Sequence, residues 1–476
     1  MALTPVIGVE VHVELLTESK MFCACKNEFG GDANSRCCPV CVGLPGSLPV
    51  ANKQAVELTI RAGLALGCRI WERARFYRKN YFYPDLAKNY QISQYDEPLT
   101  SEGHLDLVVD GEPFTVAIAR AHLEEDTGKS THLPDGRSLV DYNRCGVPLM
   151  EVVTEPDFRN AEQVREYLLQ LRRLLRYLGV STANMEEGAM RAEANVNYID
   201  FETGEKTPVI EVKNIASITA CYNAIKYELQ RQRRELEDGT LPSYRETRRW
   251  DDTRGATSPM RRKESADDYM YFPEPDLIPM APEPEWVEQI RASMPELPMA
   301  RQKRFVAEYE LPEYDAGVLT EDRALADYFE DLAQACGDAK VASNWVMGSV
   351  MATLNEKGIA VESFSLPAGQ IADLINSVQT GAISNSIAKQ VYAKMVESGK
   401  TAQEIIEQEG LTQISDTGEL ERILQEAIAA NPKAVEDLKA GKKRAAGAIV
   451  GFVMKATKGQ ANPQLVNELL DKALEE

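Results

Sequence analysis

The sequence predicts an α+β protein in which a mixed α/β domain is followed by an all-helical domain and a small helical C-terminal tail domain. Strand-like segments with a period of two residues alternate with helical segments before a proline-rich stretch, Phe272–Pro284. From Glu285 onward strand patterns nearly vanish. Because neither helix nor strand continues far through repeated prolines, we place a domain boundary after this stretch and predict domains at 1–292, 293–407 and 408–476.

The first domain begins with a clear strand pattern, Val6–Glu14, in which β-branched and polar residues alternate. Similar patterns predict further strands at Leu105–Val109, Thr115–Arg120, Glu193–Tyr198 and Val209–Val212. A helix is predicted at Ala161–Leu178, because its apolar residues recur every three or four positions and Gly179 follows where helices commonly end. A second helix is predicted at Tyr222–Leu236.

The size and charge of the chain limit its class of function. Its 476 residues are too many for one compact core, and its net charge of −21 argues against a general nucleic-acid binder, which needs an excess of Lys and Arg. Two local basic segments, within Lys226–Lys263 and at Lys439–Arg444, are compatible with a tRNA partner. They are equally compatible with solvated helix faces.

The sequence also predicts the cellular compartment. The longest uncharged apolar run, Ala445–Met454, has ten residues, about half of the ~20 that span a bilayer. The N-terminal residues lack the basic and apolar pattern of a signal peptide. We therefore expect a cytoplasmic protein with no membrane partner, in which clustered cysteines bind metal in preference to forming disulfides.

Four cysteines form the most specific motif. Cys23 and Cys25 make one close pair, and Cys38 and Cys41 make another after a gap of twelve residues. Two short loops that each supply two thiolates suit a tetrahedral Zn²⁺. Four cysteines leave no open position for water, so the predicted zinc is structural. Cys37 competes with Cys38 for one position, and the alternative interpretation is a set of scattered buried thiols.

A group of carboxylates with one histidine predicts a second metal site. Glu10, His12 and Glu14 alternate along the first strand and therefore point to one face. Such residues are costly to bury unless they bind something, and carboxylates with an imidazole suit Mg²⁺ or Mn²⁺. Further candidates lie in later segments: Glu124, Glu125, Asp126, Glu151 and Glu211. The alternative is a solvated face of the sheet.

Cations and aromatic residues are interleaved in Arg78–Tyr90. Such a segment holds a phosphate or stacks a base in one interpretation, and packs its rings into the core in the other. The sequence has no GxxxxGK[ST] phosphate loop, no kinase-type GxGxxG, no GxSxG motif and no Gly/Ser-rich amidase signature. A nucleotide would therefore have to be held by a metal and by cationic side chains.

Together these segments resemble the GatB family, whose members are subunits of the heterotrimeric aminoacyl-tRNA amidotransferase. The resemblance is dense from Ile7 to Leu277, where it includes GVEVHVELLT, CPVCVGLPGSLPV, FYRKNYFYPDLAKNYQISQY, AHLEEDTGKS, NRCGVPLMEVVTEPD, LRYLGVSTANMEEGAMR and DYMYFPEPDL. It is close again in GFVMKATKGQANPQLVNELL near the C-terminus. The resemblance implies a cradle domain, a helical domain and a tail domain that binds tRNA.

The resemblance also implies an activity. Such enzymes use ATP to phosphorylate the side chain of Glu or Asp on a mischarged tRNA, and ammonia then displaces the phosphate. The implied partners are an amidase subunit, which releases the ammonia, a small third subunit, and the tRNA, and the implied cofactors are ATP, Mg²⁺ and structural Zn²⁺. The candidate catalytic and Mg²⁺-site residues are Glu10, His12, Glu124, Glu125, Glu151 and Glu211. Lys79 and Lys213 would contact nucleotide phosphates, and Lys79, Tyr81 and Lys88 would line the ammonia path.

Three positions near the expected site differ from the pattern expected of the family. Cys145 replaces a small residue, Ala192 lies in a divergent MRAEANVNYID string, and Met270 replaces an arginine. These departures keep open a divergent paralogue with a different acceptor. A noncatalytic tRNA-binding scaffold is the alternative function, and Glu-tRNA, Asp-tRNA or both stay open as substrates.

Overall fold

A nine-stranded mixed sheet forms the centre of the N-terminal part of the chain in the computed structural model. The structure describes residues 3–262, 269–411, 417–439, 445–457, 461 and 463–475. The chain divides into two compact units, Met1–Leu297 and Pro298–Glu476. Among the described residues, all strands lie in the first unit, and the second unit is helical, which confirms the predicted α+β class.

The strands of the first unit form three sheets. Their bounds are β1 Thr4–Glu14, β2 Arg69–Ile70, β3 Tyr77–Asn80, β4 Tyr90–Ser93, β5 Thr100–Val109, β6 Glu112–Glu125, β7 Lys129–His132, β8 Ser138–Asp141, β9 Pro148–Thr154, β10 Met190–Ile199, β11 Ile210–Lys213, β12 Glu246–Asp251, β13 Ala256–Arg262 and β14 Phe272–Pro273. The large sheet has the order β13-β12-β11-β10-β1-β9-β6-β5-β2, and only its β11–β12 pair is parallel. The small sheets are β14-β3-β4 and β7-β8.

Helices cover one face of the large sheet. The helices of this unit are α1 Lys53–Ala65, α2 Ala161–Tyr177, α3 Ile218–Glu237 and α4 Pro284–Ala292. Val9, Val11 and Val13 of β1 are at most 1% exposed and belong to the same hydrophobic core as Leu168 and Leu171 of α2. Because successive side chains of a strand point to opposite faces, the polar residues between these valines lie on the other face of the sheet.

Helix α2 illustrates how the sequence sets its own bounds. The side chain of Asn160 accepts a hydrogen bond from the backbone N–H of Gln163, which satisfies one of the free donors at the helix start. The helix ends at Tyr177, and Gly179 adopts a φ of +65°, a conformation that glycine reaches without steric cost. This confirms the predicted role of Gly179.

The five predicted strands and two predicted helices of the first unit are all present. The main difference is at β6, which continues through Glu124 and Glu125 instead of ending at Arg120. Charged residues usually argue against a buried strand. Here both carboxylates are 2–3% exposed, and both have hydrogen-bond partners, so the strand continues.

The second unit contains only helical elements among its described residues. The helices are α5 Pro298–Glu308, α6 Glu313–Leu319, α7 Arg323–Cys336, α8 Ala339–Trp345, α9 Met351–Lys357, α10 Ala368–Gln379, α11 Asn385–Ser398, α12 Ala402–Glu409, α13 Thr417–Ala430, α14 Pro432–Lys439, α15 Ala446–Ala456 and α16 Pro463–Glu475. One hydrophobic cluster runs from Phe305 to Ile406 and another from Leu420 to Leu470. The finer division into a helical domain and a tail beginning at residue 408 stays a prediction.

Two sequence-based expectations concern the C-terminal segment. Most of the basic cluster Lys439–Arg444 lies outside the described residues, as does the side chain of Lys439. No helix in the described parts of the chain is both long enough and apolar enough to cross a membrane.

Candidate active site and metal centres

The polar face of the large sheet lines a cavity of about 420 Å³. Strand alternation aims Glu10 and His12 of β1 into it, while the intervening Val11 faces the helices. Antiparallel pairing then places Glu193 opposite Glu10, and Glu151 opposite His12. Ligands that are far apart in sequence therefore meet because of the register of neighbouring strands.

The first ligand cluster consists of His12, Glu124 and Glu151. The Nε2 atom of His12 lies 3.5 Å from Oε1 of Glu124 and 3.9 Å from Oε1 of Glu151. One ligand atom from each residue lies within 4.8 Å of the other two. Three such donors, two of them carboxylates, match the ligand chemistry of Mg²⁺ or Mn²⁺.

The second cluster consists of Glu10, Glu193 and Glu211, whose carboxylate oxygens also lie within 4.8 Å of one another. Like charges directly opposite on paired strands, as in Glu10 and Glu193, destabilise a sheet. Lys213 offsets part of this repulsion, because its Nζ lies 2.6 Å from Oε2 of Glu193 and 3.8 Å from Oε1 of Glu211. A bound cation would offset more, so the donor set fits a metal.

The carboxylates of this second cluster are also oriented by neutral groups. The hydroxyl of Thr247 donates to Oε2 of Glu211 over 2.7 Å. The side-chain amide of Asn195 donates to Oε1 of Glu10 over 2.9 Å. Hydrogen bonds of this kind fix ligand geometry at metal sites, and they hold these carboxylates in place around the cavity.

Burial and neighbouring charges shift the pKa values of the first cluster. Burial raises the pKa of Glu124 above its ordinary value. Burial also opposes ionisation of Glu151, but the imidazoles of His12 and His122 outweigh it and lower the pKa of Glu151. For His12, burial lowers the pKa, while the charges of Glu151, Glu124 and Glu193 raise it by more. The cluster therefore favours a shared positive charge among its carboxylates.

Cations and aromatic rings complete the cavity wall. The predicted phosphate contacts Lys79 and Lys213 both line it, together with Tyr81, Tyr269 and Arg191. The Nζ atom of Lys79 lies 4.8 Å from the ring centre of Tyr269 and 6.0 Å from that of Tyr81. The cavity thus presents positive groups beside an excess of carboxylates, an arrangement suited to a phosphate with its counter-cation.

Glu125 and Lys88 do not lie in this cavity, which corrects the sequence-based prediction that placed Glu125 in the Mg²⁺ site. Consecutive residues of β6 point to opposite faces, so Glu124 faces the cavity and Glu125 faces away. Glu125 forms a buried ion pair with Lys88 and accepts a hydrogen bond from the backbone N–H of Ile92 over 2.9 Å. Both charged residues line a separate cavity of about 190 Å³, beside Cys41.

The sequence-based prediction missed several residues of the site. Glu193 was detectable, because Arg191, Glu193 and Asn195 alternate in β10 as Glu10 and His12 do in β1. His122 was not singled out, although its Nε2 lies 3.1 Å from Oε2 of Glu151. The other cavity residues that were not predicted as ligands or contacts are Gln91, Asp126, Thr127, Leu149, Arg191, Thr247 and Tyr269.

The four predicted zinc ligands lie together in the segment between β1 and α1. The sulfur atoms of Cys23, Cys25, Cys38 and Cys41 lie within 4.8 Å of one another. Cys37 is outside this cluster, and its thiol donates to the carbonyl of Asn34. Four convergent thiols are the complete donor set of a structural zinc, so the cluster fits the predicted metal.

A buried lysine adjoins the thiols. Lys20 is 1% exposed, and its Nζ donates to the carbonyls of Arg36 and Cys145 over 2.7 Å each. The same atom lies 3.8 Å from the sulfur of Cys41. A hydrogen bond from Cys23 is the largest cause that lowers the pKa of the Cys41 thiol to about 5, and the charge of Lys20 adds to it. The loop therefore stabilises thiolate, the form that binds metal.

Comparisons with known proteins agree with this arrangement. The family model described as the GatB/GatE catalytic domain matches residues 5–288, and the one described as the GatB domain matches residues 327–474. The GatB-type aspartyl/glutamyl-tRNA(Asn/Gln) amidotransferase subunit of Caldicellulosiruptor saccharolyticus is 50% identical over 99% of this chain and 98% of its own length. The corresponding subunits of Caldanaerobacter subterraneus and Moorella thermoacetica are each 49% identical over 98% of this chain, and over 98% and 99% of their own lengths. The chain therefore belongs to the GatB family.

Proposed function

We propose that this chain activates the side-chain carboxylate of Glu or Asp attached to tRNA, as the GatB subunit of a tRNA-dependent amidotransferase. Its relatives are named as amidotransferase subunits that act on aspartyl- or glutamyl-tRNA. The observation that carries the proposal is the cavity in which two carboxylate clusters lie beside Lys79 and Lys213. Phosphoryl transfer concentrates negative charge that metals and lysines offset.

The chemistry would consist of two balanced steps. In the first, an oxygen of the side-chain carboxylate bonds to the γ-phosphorus of ATP, and the bond from that phosphorus to the bridging oxygen breaks to release ADP. In the second, ammonia bonds to the carbonyl carbon, the bond to the phosphorylated oxygen breaks, and phosphate leaves. The nitrogen loses a proton, so the product is the side-chain amide of Gln or Asn.

The residues of the cavity would divide the first step between them. Glu10, Glu193 and Glu211 on one side, and His12, Glu124 and Glu151 on the other, would hold Mg²⁺. When bound there, Mg²⁺ supplies electrostatic stabilisation of the transferring phosphoryl group. Lys79 and Lys213 would bind the phosphate oxygens and orient the nucleotide.

Ammonia would reach this cavity from a partner amidase, with a small third subunit completing the complex. Lys79 and Tyr81 line the cavity itself, whereas Lys88 and Glu125 line the neighbouring cavity beside the cysteine loop. We therefore extend the proposed ammonia path to that neighbouring cavity. The buried zinc loop would shape its wall, because Cys23 and Cys41 line the same space.

The test is ATP turnover in the assembled complex. Mischarged tRNA should stimulate ADP formation by the wild-type protein. Glu211→Gln should lower this rate by about 10² to 10³, since a charge-stabilising group is lost from the transfer step. Glutaminase activity with glutamine alone should persist, and Glu202→Gln, at an exposed position, is the matched control.

Two results would contradict the proposal. A wild-type complex that binds mischarged tRNA without tRNA-stimulated ADP formation is a noncatalytic scaffold. A Glu211→Gln protein that forms ADP within tenfold of the wild-type rate excludes this carboxylate from the metal site.

A further inference from the structure

Three arginines lie on one face of α2. Arg165, Arg172 and Arg176 are seven and four residues apart, so a helix of 3.6 residues per turn aligns them. At 1.5 Å per residue they extend along about 16 Å of the helix axis. The opposite face of α2 carries Leu168 and Leu171 into the hydrophobic core, which fixes the direction of the arginine face.

The arginine face lines a cavity of about 750 Å³. None of the three arginines forms an ion pair with a carboxylate in the described parts of the chain. The guanidinium of Arg165 lies 5.2 Å from the ring centre of Tyr222. In a protein with 74 acidic and 53 basic residues, unpaired arginines along one cavity wall indicate that the acidic partner is not part of this chain.

The start of α3 opens into the same cavity. Ser217, Ile218 and Thr219 line it, and the first turn of this 20-residue helix contains no acidic residue. The positive end of the helix dipole therefore adds to the arginine charge. Glu186 and Glu187 are the acidic residues of the cavity wall, and both are exposed.

This cavity is linked to the candidate active site by an intermediate cavity of about 560 Å³ within the same unit. Met185, Glu186, Glu187 and Ala216 line both the arginine cavity and the intermediate one. Arg191 and Glu193 line both the intermediate cavity and the acidic one. A ligand whose end reaches the carboxylates can thus extend along one wall to the arginines.

We propose that the arginine face binds the phosphate backbone of the RNA whose aminoacyl end enters the acidic cavity. The inference rests on the proposed function. Phosphates are repelled by the carboxylates of the active site and need cations outside it. Arginine binds phosphate through two parallel hydrogen bonds. Backbone contacts of this kind position the RNA without selecting its sequence.

The experiment compares two triple variants of the protein assembled with its partner subunits. Arg165→Gln/Arg172→Gln/Arg176→Gln removes the proposed contacts. Arg73→Gln/Arg137→Gln/Arg233→Gln removes the same charge from three exposed arginines that do not line the cavity. Binding of mischarged tRNA is measured at two salt concentrations, and partner assembly and zinc content are measured in parallel.

The arginine-face variant should bind about tenfold more weakly or worse at low salt. Its plot of log affinity against log salt should flatten by about 2 to 3, because each lost phosphate contact contributes about 0.7–0.9. The control variant should keep the wild-type slope. The charge-conserving variant Arg165→Lys/Arg172→Lys/Arg176→Lys should recover most of the slope, and single Arg165→Gln and Arg176→Gln variants, both at exposed positions, should each lose about one contact.

Equal affinity and slope in the wild-type and arginine-face proteins would overturn the inference. So would a loss of partner assembly with unchanged tRNA binding, which would indicate an acidic segment of a partner protein on this face. Failure of the proposed function gives a different result, in which tRNA binds through the arginine face but wild-type protein shows no tRNA-stimulated ADP formation.

Discussion

The cysteine loop and the acidic cavity both gather metal ligands, but they do so in opposite ways. The four thiols come from one short segment, Cys23–Cys41, and form a complete tetrahedral set. The carboxylates and imidazole of the cavity come from five strands, and lysines and open space lie among them. The comparison distinguishes a closed site, which holds its metal for the fold, from an open site that a substrate can enter.

Removing the metal from the closed site should have the largest effect. We expect about one zinc per chain, and Cys38→Ser/Cys41→Ser should lose it completely, because two thiolates cannot complete the tetrahedron. Structural zinc contributes about 10–16 kcal/mol of apparent binding free energy in small zinc domains. The segment 15–52, whose described residues form no helix or named strand, should then become sensitive to proteolysis. Elemental analysis and limited proteolysis measure both changes.

Cys37→Ser is the matched control for this prediction, because its thiol is adjacent in sequence but outside the cluster. It should keep the zinc and the protease resistance of the wild-type protein. A purified wild-type chain with almost no zinc, or a double variant that retains its metal, would remove the distinction between the two sites.

Two adjacent carboxylates provide the second test, because Glu124 faces the open cavity and Glu125 faces the side of the cysteine loop. Glu124→Gln should lower tRNA-dependent ADP formation by about 10² to 10³ through loss of a ligand charge. Glu125→Gln should leave that rate within about tenfold of wild type. It should instead destabilise the fold by about 3–5 kcal/mol, because Lys88 would remain as an unpaired buried cation.

Steady-state ADP formation and denaturant unfolding of both variants separate these effects. The pairing of results matters more than either value, since neighbouring residues with the same side chain are compared. If Glu125→Gln lost phosphorylation and kept its stability while Glu124→Gln did the reverse, the assignment of the two faces of β6 would be wrong.

The two sites also differ in how far the sequence predicted them. The cysteine ligands are close in sequence, so their spacing alone identified Cys23, Cys25, Cys38 and Cys41. The fold class followed from periodicity, and Gly179 was identified as a helix end because its conformational role is local. Local chemistry of this kind is visible in one segment of chain.

The cavity depended on information that no single segment contains. The pairing of β1 with β9 and β10 decides that Glu151 and Glu193 meet His12 and Glu10. Within β6, a shift of one residue changes which carboxylate faces the cavity. Sequence alternation alone therefore could not choose between Glu124 and Glu125, and a register defined by the whole sheet was needed.

The smallest expected effect concerns a neutral group behind the open site. Thr247→Val should weaken the apparent Mg²⁺ affinity in tRNA-dependent ADP formation by about 10- to 100-fold, because its hydroxyl orients Glu211 and such supporting hydrogen bonds tune metal binding. Thr59→Val is the matched control, since Thr59 is also fully buried and its hydroxyl has no hydrogen-bond partner among the described residues. Titration of Mg²⁺ at saturating ATP and tRNA measures both variants. Raised Mg²⁺ should restore the rate of Thr247→Val; an unchanged Mg²⁺ requirement would show that Glu211 holds its position without this bond.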